Sequence, residues 1–379
     1  MQRRDFLKLL STIPLFSATK VFSLEHSPKR KYWILIELKG GNDGLNTVIP
    51  YNDNLYYENR PTLQIPLNQV LKINYELGLN PALTHLQKLY KENDLSIIQN
   101  VGYANPNKSH FTSLDIWETA SENKGANGWL YELFKRNQSD HLIDAMVFSG
   151  STGLFEGSNP NFLKVKNIRQ FVKHSRKLKI PDYLSSDPAQ AHLLNSINKI
   201  HKVASRLEDE VDLDEMQNIK KGKISLSDQL MQASFLMQHN VDIPIFKVAI
   251  KGFDTHSNQE NEHKDKLTEL NDALAKFTQE LKSNNLWDDT LIMTYSEFGR
   301  RIKENGSKGT DHGEASCMFC MGGKVKGGIY GDTPDLKNHH DDNLVSMIDF
   351  REVYSELEKK WLKSDNKVVQ EKPLNFLRS

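Results

Sequence analysis

Cysteine is scarce: the 379-residue chain has two, Cys317 and Cys320, so no disulfide framework staples the fold. An excess of charge of one sign is also lacking. Lys+Arg and Asp+Glu both number 49, which argues against a nucleic-acid partner, since such proteins carry a basic surplus. Beyond the N-terminus there is no apolar run of about twenty residues, so no stable membrane span is expected in the mature protein. Internal repeats and low-complexity tracts are missing as well. What is present is 38% hydrophobic and 26% charged residues, the balance of a globular protein with enough apolar mass for a core. The length fits one large domain with insertions.

The first thirty residues read as an address. Gln2-Arg3-Arg4-Asp5-Phe6-Leu7-Lys8 sets two arginines before Phe-Leu-Lys, and a modestly apolar stretch follows from Leu9 to Phe22. The pattern resembles a twin-arginine signal peptide. It implies recognition by the twin-arginine translocase, export in the folded state, and a periplasmic or secreted location. Glu25 to Lys31 reads as the linker into a single domain over 31–379.

Tyr32–Leu38 is a nearly continuous apolar run that ends at Gly40-Gly41, as a buried parallel strand followed by a sharp loop would. Similar runs recur at Leu95–Val101, Ile143–Phe148, Ile245–Ile250, Leu291–Tyr295 and Cys317–Met321. Helical spacing occupies Ala82–Asn93, Leu226–His239 and Lys264–Asn284. Strands alternating with helices predict a three-layer α/β/α fold around a mostly parallel sheet, with ligands at the carboxyl ends of the strands. Residues 170–223 lack strand runs and read as a helical insertion, either a cap over the sheet or a side lobe.

Loops next to four of these segments carry hard ligands. Asp43 follows the first strand within Gly40-Gly41-Asn42-Asp43-Gly44. Asp254 and His256 follow the Ile245 run, and Glu297 and Arg300 follow the Leu291 run. Asp311 and His312 precede the Cys317 run. Carboxylates and imidazoles without thiolates suit Zn²⁺, Mn²⁺, Mg²⁺ or Ca²⁺, and a cation keeps clustered carboxylates ionised together. Asp43, Asp254, His256, Glu297, Asp311 and His312 are therefore the expected metal ligands, for one or two divalent ions. Ser109, at the start of a helical pattern, is the candidate nucleophile, with Ser113 as its substitute; capping the helix is the competing role for either hydroxyl. His110 is open between ligand, anion donor and structural residue. Arg300 can clamp a phosphate or sulfate, or else pair with a carboxylate, and Asn42 can join it in stabilising charged oxygens. Cys317 and Cys320 stand three apart on a strand, on opposite faces, which discounts a redox or zinc pair. His339-His340-Asp341-Asp342 reads as a surface turn.

The segments Glu37–Asn46, Ser109–Phe111 with Asp115–Trp117, Gly252–Gln259, Ser296–Arg300, Asn305-Gly306, Gly309–Gly313, Gly322–Gly328 and Asp349–Arg351 together resemble the domain-of-unknown-function 1501 family of twin-arginine-exported bacterial proteins. That family looks like a branch of the alkaline phosphatase and sulfatase superfamily. The resemblance implies a metal-dependent hydrolase acting on a small-molecule or polysaccharide phosphate or sulfate ester. It places Asp43, Ser109, Asp254, His256 and His312 on the superfamily's pattern. Phe298 departs from it, standing where a nitrogen or amide ligand follows the carboxylate. The departure leaves open a single ion, or two with Asp311 or His110 completing the set. The rival reading is a non-catalytic cell-envelope ligand-binding protein that keeps the fold.

Overall fold

The computed structural model describes residues 30–178, 188–216 and 224–378. The segment read as a signal peptide lies, up to residue 29, outside the described residues, and Lys31–Ser379 is one compact unit. Twelve strands are described: β1 (Tyr32–Lys39), β2 (Val48–Ile49), β3 (Leu71–Lys72), β4 (Gly78–Leu79), β5 (Leu95–Gly102), β6 (Ala145–Val147), β7 (Phe162–Lys164), β8 (Ile245–Lys251), β9 (Thr290–Tyr295), β10 (Ser316–Met321), β11 (Gly328–Tyr330) and β12 (Ile348–Asp349). The main sheet runs β11-β5-β10-β9-β1-β8-β6-β7, with β12 also paired to β5. β1 lies parallel to both β8 and β9, and only β10 runs against its neighbours. The small sheet β2-β4-β3 stands apart.

β1 is apolar from Tyr32 to Ile36 and again at Leu38 because both of its faces are covered. Tyr32, Ile34, Ile36 and Leu38 enter one apolar cluster, while Trp33 and Leu35 enter the other. The first cluster is closed by helices α3 (Thr84–Lys91), α8 (Leu226–Gln238) and α9 (Gln259–Ser283). The second is closed by α4 (His110–Thr119), α5 (Trp129–Arg136) and α10 (Phe350–Glu356). The result is the expected three-layer α/β/α arrangement. Cys317 falls in the first cluster and Cys320 in the second, so the two thiols face opposite layers.

Three short helices complete the described set: α1 (Gly44–Thr47), α2 (Asn54–Asn59) and α6 (Ile168–Ser175), beside the longer α7 (Pro188–Glu210). α6 and α7 form the described part of the helical insertion. Ile168, Val172, Val203 and Leu207 bury themselves in the first apolar cluster, so this part extends the helical layer.

Candidate metal centre

The carboxyl ends of β1, β8 and β9 lie side by side, and the loops leaving them are packed to backbone contact. Gly40 has φ +125° and Gly41 φ +80°, a region that glycine enters freely. A Cβ on Gly40 would overlap the backbone of Asp254, and one on Gly41 would overlap the Phe298 ring. Two bare glycines thus let the three loops converge.

Arg300 holds them there. It is 1% exposed. Its Nε donates to Gly41 O at 2.7 Å and its Nη1 to Thr310 O at 2.8 Å. Its Nη2 donates to Gly40 O, to Phe253 O, and to Asp254 Oδ1 at 2.6 Å. Of the two roles open to Arg300, the structure places it in the carboxylate pair, beneath the site, with its donors engaged by the protein. Burial alone would raise the Asp254 carboxyl. The hydrogen bond from Arg300, with its positive charge, outweighs burial and holds it at about 2.

Three imidazoles face that carboxylate. His256 Nε2 and His312 Nε2 each lie 3.2 Å from Asp254 Oδ1, and His110 Nε2 lies 3.4 Å from Asp254 Oδ2. The two nitrogens of His256 and His312 are 2.9 Å apart. His110, Asp254 and His312 offer donor atoms that all lie within 4.8 Å of one another, and His256 flanks this set on the side of Asp254 and His312.

Behind each ring stands an acceptor. His110 Nδ1 meets Glu297 Oε1 at 2.7 Å, His256 Nδ1 meets Asp311 Oδ1 at 3.3 Å, and His312 Nδ1 meets the Lys108 carbonyl at 2.9 Å. A carbonyl or carboxylate accepts only, so each Nδ1 must carry the proton and each neutral Nε2 presents a lone pair. With all three rings neutral, three lone pairs and a carboxylate point at one another with no proton between them. A cation resolves that arrangement, and carboxylate- or carbonyl-backed histidines are the usual orienters of metal ligands. Donors arranged tetrahedrally about zinc at about 2.0–2.1 Å lie roughly 3.3 Å apart, in line with the 3.2, 3.2 and 3.4 Å from Asp254 to the three rings. The residues therefore fit a divalent metal.

The hydrogen bond that His110 donates to Glu297 raises its pKa against the opposing effect of burial. Burial lowers His312, although Asp254 and the Lys108 carbonyl pull the other way. Asp311 is lowered, first by Asn305 and then by its contact with His256.

The structure thus brings Asp254, His256 and His312 together as expected from the sequence and adds His110, one of the roles left open for it. Glu297 and Asp311 stand one step back, as carboxylates that orient His110 and His256. Phe298 has a packing reason: its ring lies 4.9 Å from that of His110 and 4.5 Å from that of His312, fixing both.

Asp43 belongs elsewhere. It is fully buried, pairs with Arg60 Nη1 at 2.5 Å, accepts from Gln259 Nε2, and caps α1 through Asn46 N. Burial would raise its pKa, but Arg60 keeps it below the ordinary carboxylate value. Asn42 is turned inward too: its amide donates to Thr47 Oγ1 at 3.0 Å and accepts from His263 Nε2 at 3.0 Å. Sequence reading missed Arg60, which follows α2 in an unremarkable Asn-Arg-Pro stretch with no local sign of a partner 17 residues away.

The two serines separate. Ser113 is buried, and its hydroxyl contacts Tyr103 OH at 2.9 Å and donates to the Glu297 carbonyl. Ser109 is the N-cap residue of α4, exposed, and makes no side-chain capping bond. Its hydroxyl stands next to His110 in the chain without the capping role that competed for it. His339–Asp342 forms a mostly exposed turn.

This fold and centre define an α/β/α protein with a three-histidine, one-aspartate cluster at the rim of its sheet. The chain belongs to the DUF1501 family, described as a protein of unknown function, whose sequence model matches residues 30–357. A comparison with curated proteins finds no match. Among solved structures, the chain is similar to a protein in the alkaline phosphatase superfamily from Vibrio parahaemolyticus, at 11% identity and TM-score 0.36, over 79% of this chain and 62% of that one. It is also similar to a sulfatase from Pseudoalteromonas, at 11% identity and TM-score 0.40, over 87% and 67%. Alkaline phosphatase from the Antarctic bacterium TAB5 is similar at 9% identity and TM-score 0.36, over 78% and 92%. These scores are too low to transfer a residue's role.

Proposed function

We propose that the protein is an exported, metal-dependent hydrolase of phosphate or sulfate esters, with one divalent ion held by His110, Asp254, His256 and His312. The observation that carries the reading is the convergence of three backed imidazoles on Asp254. The Asp254 and His256 side chains are 48% and 46% exposed, so a substrate can reach the donors from solvent. A metal in this position supplies Lewis-acid polarisation of an ester oxygen and lowers the pKa of a hydroxyl or water. Ser109 supplies the nucleophilic hydroxyl beside His110, and Glu297 keeps the His110 lone pair aimed at the centre. Arg300 positions Asp254 and keeps it ionised. Export is supported by the arginine pair Arg3-Arg4 and the Phe6-Leu7-Lys8 that follows.

Purified protein assayed on aryl phosphate and aryl sulfate esters tests the reading. Turnover lost on chelation, restored by metal, and missing from Asp254→Ala and His312→Ala supports it. Bound metal with no turnover on either ester class would point to the non-catalytic ligand-binding role.

A further inference from the structure

The chain's charges balance overall, but not along the rim of the sheet. At the carboxyl end of β1 stands Lys39, register-paired with Lys251 at the end of β8. Two strands further across, β7 ends in Lys164, and Lys166 follows. All four are exposed. Lys166 and Lys251 line a cleft of about 210 Å³ together with Phe148, Ser149 and Ala249.

Nearby carboxylates do not cancel this strip. Glu269, in the same cleft, is held by Lys266 at 2.7 Å. Glu37 and Glu118 are buried and paired with Lys247 at 3.2 and 2.6 Å. Lys164 donates to the Gly150 carbonyl, which leaves its charge uncompensated. Among the described residues, no carboxylate forms an ion pair with Lys39, Lys166 or Lys251. A folded surface with mixed charges ordinarily intersperses the two signs; a single-sign strip attracts ligands of the other sign.

Distance ties the strip to the centre. Lys251 is three residues before Asp254 in the chain, so about 10 Å of extended backbone is the most that separates them. From β1 to β7 is three strand spacings, about 14 Å. We propose that the lysine strip and its cleft bind the outlying negative charges of a chain-like polyanion. The hydrolase then acts on one ester of a substrate that carries several sulfate or phosphate groups. This rests on the hydrolase reading above.

The test is binding, which needs no turnover. Fluorescent dextran sulfate and inorganic polyphosphate, as sulfate and phosphate probes, are titrated into the metal-loaded full chain, the two arms separating the ester classes. Affinity for at least one is expected to fall steeply with salt and to drop about fivefold for each lysine removed in Lys166→Gln and Lys251→Gln. The Lys166→Arg/Lys251→Arg double variant should restore it, which separates charge from folding. Binding of both probes indifferent to the Gln substitutions overturns the proposal, as does hydrolysis of an aryl ester that neither probe competes for. Lysine-dependent binding with no ester turned over would sink the hydrolase reading and, with it, the substrate assignment. Aryl-ester turnover with lysine-independent binding would sink this proposal alone.

Discussion

His256 Nε2 and His312 Nε2 lie 2.9 Å apart, with Asp254 Oδ1 3.2 Å from each. Both rings commit their Nδ1 protons elsewhere, His256 to Asp311 and His312 to Lys108 O. Two lone pairs at that range repel unless a cation lies between them or one ring takes up a proton. From this relationship, the remaining assignments in the centre follow as testable statements.

In the proposed centre, Glu297 orients His110 instead of binding the ion itself. Its Oε1 already accepts from His110 Nδ1 at 2.7 Å and from Gly40 N at 3.0 Å. Glu297→Gln keeps an acceptor oxygen but removes the charge that raises ligand basicity. Metal affinity should weaken by about 10- to 100-fold, the usual effect of losing such a partner, measured by competition with a chromogenic chelator. Unchanged affinity would show that Glu297 plays no part in tuning His110.

Asp43 and Arg60 form a buried pair, each side chain 0% exposed. Removing one partner strands the other's charge, which costs about 3–5 kcal/mol in such sites. Arg60→Met and Asp43→Asn should both lower urea stability by that order while the metal content of the folded protein stays the same. Metal loss from Asp43→Asn at unchanged stability would return Asp43 to the ligand set that its place after β1 suggested.

His263 gives the fold an acid-sensitive point. It is buried, hydrogen-bonded to Asn42 at 3.0 Å, and burial lowers its pKa from the ordinary 6.5 to about 4. The unfolded chain takes up this proton more readily, so the contribution is whole above pH 6.5 and is lost as pH falls toward 4. The shift corresponds to about 3 kcal/mol. Thermal melts at several pH values should show wild type losing stability in that window relative to His263→Gln. Parallel curves for the two proteins would contradict it.

The fold was legible because its strands are buried on both faces. Tyr32–Leu38 and Ile245–Ile250 are therefore apolar at nearly every position, and that signal needs no knowledge of partners. Asp254, His256 and His312 were legible for a related reason: each lies in a loop next to such a strand and is of a ligand-forming type. The split between ligand and orienter was not. Glu297 and Asp311 carry the same oxygen donors as Asp254, and only distances reveal that each has an imidazole between it and the centre. Asp43 misled because nothing local announces Arg60. His110 stood out as a residue of several possible roles, and the ring of Phe298 against it helps fix the one it has.

Zinc titration into metal-free protein, followed by calorimetry and checked by elemental analysis, tests the central claim most directly. The account predicts one ion per chain, lost in Asp254→Ala and His312→Ala and greatly weakened in His110→Ala and His256→Ala. No bound ion, or an ion whose stoichiometry and affinity are the same in all four variants, would contradict it.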